Sequence, residues 1–159
     1  MSDCCSVNAG TAPAVMVCPA NGSRSKRVDT LTVKSLVRKL PLGMPNTQYY
    51  FCDSPDCEVV YFALDAEAPI FRREGLVVRV DAKVTTDPIP MCYCFGFTRQ
   101  DIWDEIWRTG KSTVVERITA EVEADHCACE VRNPSGKCCL GDVTRAAKDG
   151  LRVVQDKTF

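Results

Sequence analysis

The chain has 159 residues, enough for one ordinary domain or two small ones, and 45% of them are hydrophobic, so a buried core can form. The formal net charge is −1, with 20 basic and 21 acidic residues interspersed, so the basic surface expected of a nucleic-acid-binding protein is missing. No apolar run approaches the length of a membrane span.

Eleven residues are cysteine, and their spacing favours metal ligation over disulfide bonds. Several cysteines are adjacent or one residue apart, as in Cys92-Tyr93-Cys94 and Cys138-Cys139. Such pairs close almost no loop when bridged, whereas two neighbouring thiolates can bind one metal. The first residues also lack the basic and apolar regions of a signal peptide, which predicts a cytoplasmic, reducing location.

The predicted elements indicate an α+β fold in three parts: a flexible tail over residues 1–16, a zinc-binding β unit over 17–86 and a helical 2Fe–2S domain over 87–159. In the β unit, Thr30 or Thr32 is predicted to cap a short helix that runs to Leu40. Residues 49–52 form a short aromatic run, and segments rich in β-forming or alternating apolar residues predict strands over 58–64, 68–72 and 76–83.

The second half of the chain begins with a predicted linker over residues 85–90, which contains two prolines. Thr98 and Asp101 form a capping-box pattern at the start of a helix. Three helices are expected here: 98–109 ended by Gly110, a second capped by Ser112, and a third over 140–149 ended by Gly150.

The strongest chemical feature is the Cys92-Tyr93-Cys94 motif, placed just before a predicted helix. A 2Fe–2S cluster needs four ligands, two on each iron, and this pair supplies two of them. A helix start adds free N–H groups and a positive dipole end beside an anionic cluster. The second pair comes from four later cysteines: Cys127, Cys129, Cys138 and Cys139. A structural zinc ion on the same thiolates is the alternative.

A second group, Cys18, Cys52 and Cys57, predicts a structural zinc site in the β unit. Cys52 and Cys57 flank a Ser-Pro turn, which is half of a zinc knuckle. Free cysteines in a small core are the alternative. The fourth ligand stays open: Asn21 is a poor zinc ligand, so the candidates are Asp53, Asp56 or a cysteine of the tail.

Outside these two groups, Cys4 and Cys5 lie in a polar segment and suit a soft ion such as Cu(I), with an inert tail as the alternative. His126, the one histidine, is expected to be an exposed loop residue near the cluster. With a single histidine and no phosphate-binding loop, no catalytic residues are predicted, and the enzymatic option is a one-electron metal reductase.

Three stretches in this order resemble one known family: residues 50–62, residues 90–94 and residues 133–139. Together they are similar to the N-terminal domain of the archaeal CopZ-type copper chaperones, whose cluster region resembles bacterioferritin-associated ferredoxins. The resemblance covers residues 17–140 and implies one 2Fe–2S cluster and one zinc ion. It implies cluster ligands at Cys92, Cys94, Cys129 and Cys139, with Cys138 and Cys127 as alternates, and a zinc ligand in the Cys18-Pro19-Ala20-Asn21 segment.

The resemblance also implies a function: a redox metalloprotein that handles copper together with a copper-carrying or redox partner protein. The family's M-x-C-x-x-C copper loop does not occur in this sequence, so copper would bind at Cys4 and Cys5 or on a separate protein. The alternative is an electron-transfer or interaction module for an unrelated partner, for example in metal or metalloid resistance.

Overall fold

The computed structural model describes residues 12–157, which fold as an α+β protein, as predicted. Cys4 and Cys5 lie outside the described residues. The first half of the chain forms a five-stranded antiparallel sheet in the order β1-β2-β3-β4-β5. Its strands are β1 (Val15–Val17), β2 (Arg24–Val28), β3 (Tyr49–Phe51), β4 (Val59–Ala63) and β5 (Phe71–Arg72).

The predicted strand at 58–64 is confirmed as β4, and the aromatic run at 49–52 forms β3. Every residue of β4 is buried, as expected for the apolar run of a strand inside the sheet. Strands β1 and β2 were not predicted, and Val15 and Met16 belong to β1 although the sequence places them in the tail. The predicted strand at 68–72 is reduced to its last two residues.

The predicted strand over 76–83 is wrong. Leu76 makes one isolated bridge to Val37, and the segment ends in a 3-10 turn at Asp81–Lys83. A 3-10 turn at Arg73–Gly75 takes the chain away from β5, so the alternating residues cannot extend the sheet. Instead the side chains of Leu76 and Val80 enter the core individually.

The first helix, α1 (Thr30–Leu36), is shorter than predicted and has a different cap. The Asp29 carboxylate accepts a 2.9 Å hydrogen bond from the Leu31 amide, while Thr32 is fully buried. The helix ends at Leu36 because Val37 is extended and pairs with Leu76.

The second half, as far as residue 157, consists of a β hairpin and four helices. The hairpin strands are β6 (Pro90–Cys92) and β7 (Phe97–Thr98), so the predicted linker leads directly into a strand. The helices are α2 (Arg99–Thr109), α3 (Val114–Glu123), α4 (Cys129–Arg132) and α5 (Leu140–Asp156). The capping box of Thr98 and Asp101 is confirmed, and Gly110 ends α2 in a left-handed conformation.

Helix α5 does not end at Gly150, as the sequence predicts, but continues through it to Asp156. Gly150 faces α2, where a Cβ atom would lie 2.8 Å from the Ile106 Cδ1 and Trp103 Cδ1 atoms. The glycine therefore permits close contact between two helices and does not terminate one. The Trp103 indole donates a 2.9 Å hydrogen bond to the Ala146 carbonyl oxygen across the same contact.

Two main apolar cores form, one under the sheet and one among the helices, and polar contacts join them. The Thr32 hydroxyl donates to the Glu130 carbonyl oxygen at 2.5 Å. The Tyr93 hydroxyl donates to the Arg79 carbonyl oxygen at 2.6 Å and accepts from the Asp81 amide at 2.9 Å. Hydrogen bonds thus join the two halves of the chain. Over residues 12–157, no helix has the length and apolar composition needed to cross a membrane.

Candidate metal centres

The first candidate centre lies at one end of the sheet, where three chain turns converge. Cys18 directly follows β1, Cys52 directly follows β3, and Cys57 lies in the connection between β3 and β4. All three side chains are buried, and their Sγ atoms lie within 4.8 Å of one another. The Sγ atoms of Cys18 and Cys57 are 3.8 Å apart. The sheet register therefore brings together cysteines that are far apart in the sequence.

The spacing of these thiols fits a zinc ion. Tetrahedral zinc with Zn–S bonds of about 2.3 Å holds neighbouring sulfur atoms about 3.8 Å apart. Within residues 12–157, neither the Asp53 nor the Asp56 carboxylate joins the three-sulfur group. The Asn21 side chain instead organises the nearby turn: it donates to the Ser54 hydroxyl at 2.9 Å and accepts from the Ser23 hydroxyl at 2.8 Å.

The pKa values of the Cys18 and Cys52 thiols are shifted in opposite directions. Burial raises the pKa of Cys18. Burial also opposes ionisation of Cys52, but hydrogen bonds from the Ser23 hydroxyl and the Ser54 amide, with the nearby Lys83 ammonium, give a net lowering of its pKa. The Ser23 hydroxyl lies 3.4 Å from the Cys52 Sγ atom.

Lys83 was not predicted as a site residue, and no local pattern marks it. It is only 3% exposed, and its Nζ atom donates to the carbonyl oxygens of Ser54 at 2.8 Å and Cys57 at 2.9 Å. The same atom lies 3.9 Å from the Cys52 Sγ atom. A buried cation thus contacts the loop that carries two of the three thiols.

The second candidate centre lies in the helical half and gathers the four cysteines that the resemblance implies. Cys92 ends β6 and Cys94 lies in the hairpin turn, while Cys129 begins α4 and Cys139 directly precedes α5. The Sγ atoms of Cys94 and Cys129 are 3.6 Å apart, and the Cys92 and Cys139 thiols interact with each other. Each of these two contacts joins the hairpin to the helical segment.

Backbone amides surround the sulfur atoms of this second group. The Ala128 amide donates to the Cys94 Sγ atom at 3.2 Å. A hydrogen bond from the Cys139 thiol, with further bonds from the Phe95 and Cys94 amides, lowers the pKa of Cys92 to about 6. Burial raises the pKa of Cys129 to about 12, and the contact with Cys92 raises that of Cys139.

The helix that starts beside these thiols is not the one predicted. Helix α2 begins at Arg99, after the hairpin has turned away from Cys94. Instead, Cys139 is the N-terminal cap residue of α5, which has 17 residues and no side-chain cap. The N-terminal amides and positive dipole end of α5 therefore lie next to Cys139.

The two alternates differ from each other in exposure: Cys138 is exposed, whereas Cys127 is half-buried, as Cys94 is. Cys139 is only 1% exposed and lies in the helical core, whereas its neighbour Cys138 is exposed. Of this adjacent pair, only Cys139 is therefore buried. Cys127 is half-buried at the edge of the helical core. His126 is an exposed loop residue, as expected, and its Nδ1 atom lies 2.7 Å from the Glu121 carboxylate.

Comparison with known proteins gives one consistent family. Residues 15–76 match the CopZ zinc-binding domain family. The chain is 36% identical over 125 residues to the copper chaperone CopZ of Archaeoglobus fulgidus, a match that covers 79% of this chain and 58% of that protein. The chain thus spans less than two thirds of the chaperone's length.

The structural comparison covers more of its counterpart. The X-ray structure of the N-terminal domain of Archaeoglobus fulgidus CopZ matches with a TM-score of 0.64 and 34% sequence identity, over 82% of this chain and 96% of that one. The match includes both the sheet and part of the helical region, since it extends well beyond the 62 residues of the zinc-binding family. The chain belongs to the family of CopZ N-terminal domains.

Proposed function

We propose that this protein is a redox metalloprotein of copper handling, which holds one zinc ion on Cys18, Cys52 and Cys57 and one 2Fe–2S cluster on Cys92, Cys94, Cys129 and Cys139. The observation that carries the proposal is the different geometry of the two sulfur groups. In the first group three sulfur atoms lie within 4.8 Å of one another, whereas in the second group Cys94 and Cys129 form a close pair at 3.6 Å and, among residues 12–157, no three sulfur atoms lie that close together.

The first group suits a single metal ion. Its three sulfur atoms are close together and buried, and the match to a zinc-binding domain family covers this part of the chain. A zinc ion here stabilises the fold, because it links the chain connections at one end of a small sheet. The unfolded chain has no preformed site and binds zinc only weakly, so the free energy of zinc binding favours the folded state. The fourth ligand is proposed to be water, which leaves Cys4 and Cys5 free for copper.

The second group suits a two-metal cluster better than one zinc ion. Within residues 12–157, no three of its four sulfur atoms are close enough to form a compact group like the first one. Two iron atoms need two pairs of thiolates, and each pair here takes one cysteine from the hairpin and one from the helical segment. When bound, a 2Fe–2S cluster supplies one-electron transfer.

The residues of the chain have defined roles toward such a group. Four thiolates would bind it, the amides of Phe95 and Ala128 would donate hydrogen bonds to sulfur, and the start of α5 would offset negative charge. The buried positions of Cys92 and Cys139 keep water from that side of the site.

The copper part of the proposal rests on the relative that is named a copper chaperone. Copper(I) is a soft ion and prefers thiolates, so we propose Cys4 and Cys5 as its site, with a copper-carrying or redox partner in the cytoplasm. Replacing both tail cysteines by serine should remove one tightly bound Cu(I) equivalent. Unchanged Cu(I) binding would exclude the tail as the site.

The cluster is tested by absorption and electron paramagnetic resonance spectroscopy on protein purified without oxygen, before and after reduction with dithionite. The wild type should give the rhombic signal of a reduced 2Fe–2S centre. Cys94→Ser should weaken or shift this signal, while Cys127→Ser, the matched control, should leave it unchanged. Equal spectra for both variants would contradict the ligand assignment.

A further inference from the structure

Lys83 is a buried cation whose hydrogen-bond partners are neutral carbonyl groups and a thiol. Its Nζ atom donates to the Ser54 and Cys57 carbonyl oxygens and lies 3.9 Å from the Cys52 Sγ atom. Among residues 12–157, no carboxylate lies within ion-pair distance of Lys83, and the nearby Glu58 carboxylate is bound by Arg73 instead. Burying an ammonium group costs free energy unless a negative charge compensates it.

The charge that could compensate Lys83 lies in the first sulfur group. Three thiolates around a divalent metal ion carry a net charge of −1, and one ammonium group brings the total to zero. Two of the three thiols, those of Cys52 and Cys57, flank the loop that the Lys83 side chain binds. The lysine is therefore placed to balance the charge of a loaded site.

We infer that Lys83 is the counter-ion of the metal site formed by Cys18, Cys52 and Cys57, and that it positions the 52–57 loop for metal binding. This inference rests on the proposed zinc site. Lys83 is a positioning residue, because its carbonyl contacts fix the backbone between two ligands while its ammonium group lies 3.9 Å from the Cys52 Sγ atom. The chain around it supports the role: Lys83 ends a 3-10 turn that starts at Asp81, whose amide donates to the Tyr93 hydroxyl.

The alternative role for Lys83 is that of a hydrogen-bond donor that only closes a loop. The two roles differ in one variant. Lys83→Gln keeps a donor for the carbonyl oxygens and loses the charge, whereas Lys83→Met loses both. If the charge matters, both variants bind metal more weakly; if only the hydrogen bonds matter, Lys83→Gln behaves as the wild type.

The experiment measures zinc affinity by competition with a chromophoric chelator, and the absorption spectrum of the Co(II)-substituted site. The variants are Lys83→Gln and Lys83→Met, and the control is Lys148→Met, which changes an exposed lysine on α5. We expect both Lys83 variants to bind zinc about 10- to 100-fold more weakly, as is typical when a group that contacts metal ligands is removed. The control should equal the wild type.

The cobalt spectrum gives a second readout that a purely structural role would not move. Without the nearby cation, the sulfur electrons are less strongly held, so the thiolate-to-cobalt band should shift to longer wavelength in Lys83→Gln. Wild-type affinity and an unshifted band in Lys83→Gln would overturn the role of Lys83 and leave the zinc site intact. A wild-type protein that binds neither zinc nor Co(II) would instead overturn the proposed function itself.

Discussion

The Tyr61 hydroxyl donates a 2.6 Å hydrogen bond to the carbonyl oxygen of Pro134, although Tyr61 lies in the middle of β4 and Pro134 in the loop before α5. Both residues are buried. The bond therefore fixes the 133–139 loop, which ends at the proposed cluster ligand Cys139, against the sheet.

Tyr61→Phe should lower the free energy of unfolding by about 1–2 kcal/mol, because it leaves a buried carbonyl group without a donor. Urea unfolding checks this value. Tyr49→Phe is the matched control: Tyr49 is equally buried, but its hydroxyl contact with the Pro69 carbonyl oxygen is 3.4 Å long and stays within the sheet unit. Equal losses for the two variants would show that the bond to Pro134 has no special weight.

Stability should fall at high pH because of the buried tyrosines. Burial raises the pKa of Tyr49 to about 12 and also raises those of Tyr61 and Tyr93. The pKa of an unfolded tyrosine is about 10. Below that pH both states are protonated and stability is complete; above it the unfolded state loses its proton first, so stability falls as pH rises toward 12. The free energy of unfolding, measured from pH 9 to 12, should decline less for Tyr49→Phe than for the wild type. An identical decline in both proteins would show that ionisation of Tyr49 does not contribute.

Gly150→Ala should destabilise the contact between α2 and α5. The added Cβ would lie 2.8 Å from atoms of Trp103 and Ile106, so the helices must separate or a side chain must rotate, at a cost of about 1–3 kcal/mol. In contrast, a Cβ at Gly141, on the same helix, meets nothing within 4 Å. Thermal unfolding should place Gly150→Ala below the wild type and Gly141→Ala at or above it; the reverse order would contradict the packing account.

The adjacent Cys138 and Cys139 should respond differently to replacement by serine. Cys139 is buried against Cys92, whereas Cys138 is exposed. Cys139→Ser should reduce the iron content and alter the visible spectrum, while Cys138→Ser should retain both. If Cys138→Ser alone lost iron, the ligand assignment at this pair would have to be reversed.

The parts of the fold that the sequence predicted correctly have local signals. The apolar run of β4 and the capping box at Thr98 and Asp101 can be recognised without knowing any neighbour. Strand β2 has the sequence Arg-Ser-Lys-Arg-Val, with two fully buried positions, so its hydrophobic pattern is too weak to identify. Its strand state depends on pairing with β1 and β3.

Other features depend on contacts between distant segments and have no local signal. The role of Gly150 becomes visible only beside Trp103, and Lys83 appears in sequence as an ordinary polar residue of a half-buried segment. The alternation over 76–83 suggested a strand, but the sheet ends at β5 and offers it no partner. The cysteine sets can be proposed from thiol spacing and family resemblance, whereas the contacts within each set are visible only in the three-dimensional arrangement.

The central claim, one zinc site and one separate two-iron site, is tested most directly by the metal content of protein purified without oxygen, measured with its visible spectrum. The account predicts a red-brown protein with about two iron atoms and one zinc ion per chain. A colourless protein that holds two zinc ions, and takes up no iron on anaerobic reconstitution, would contradict it.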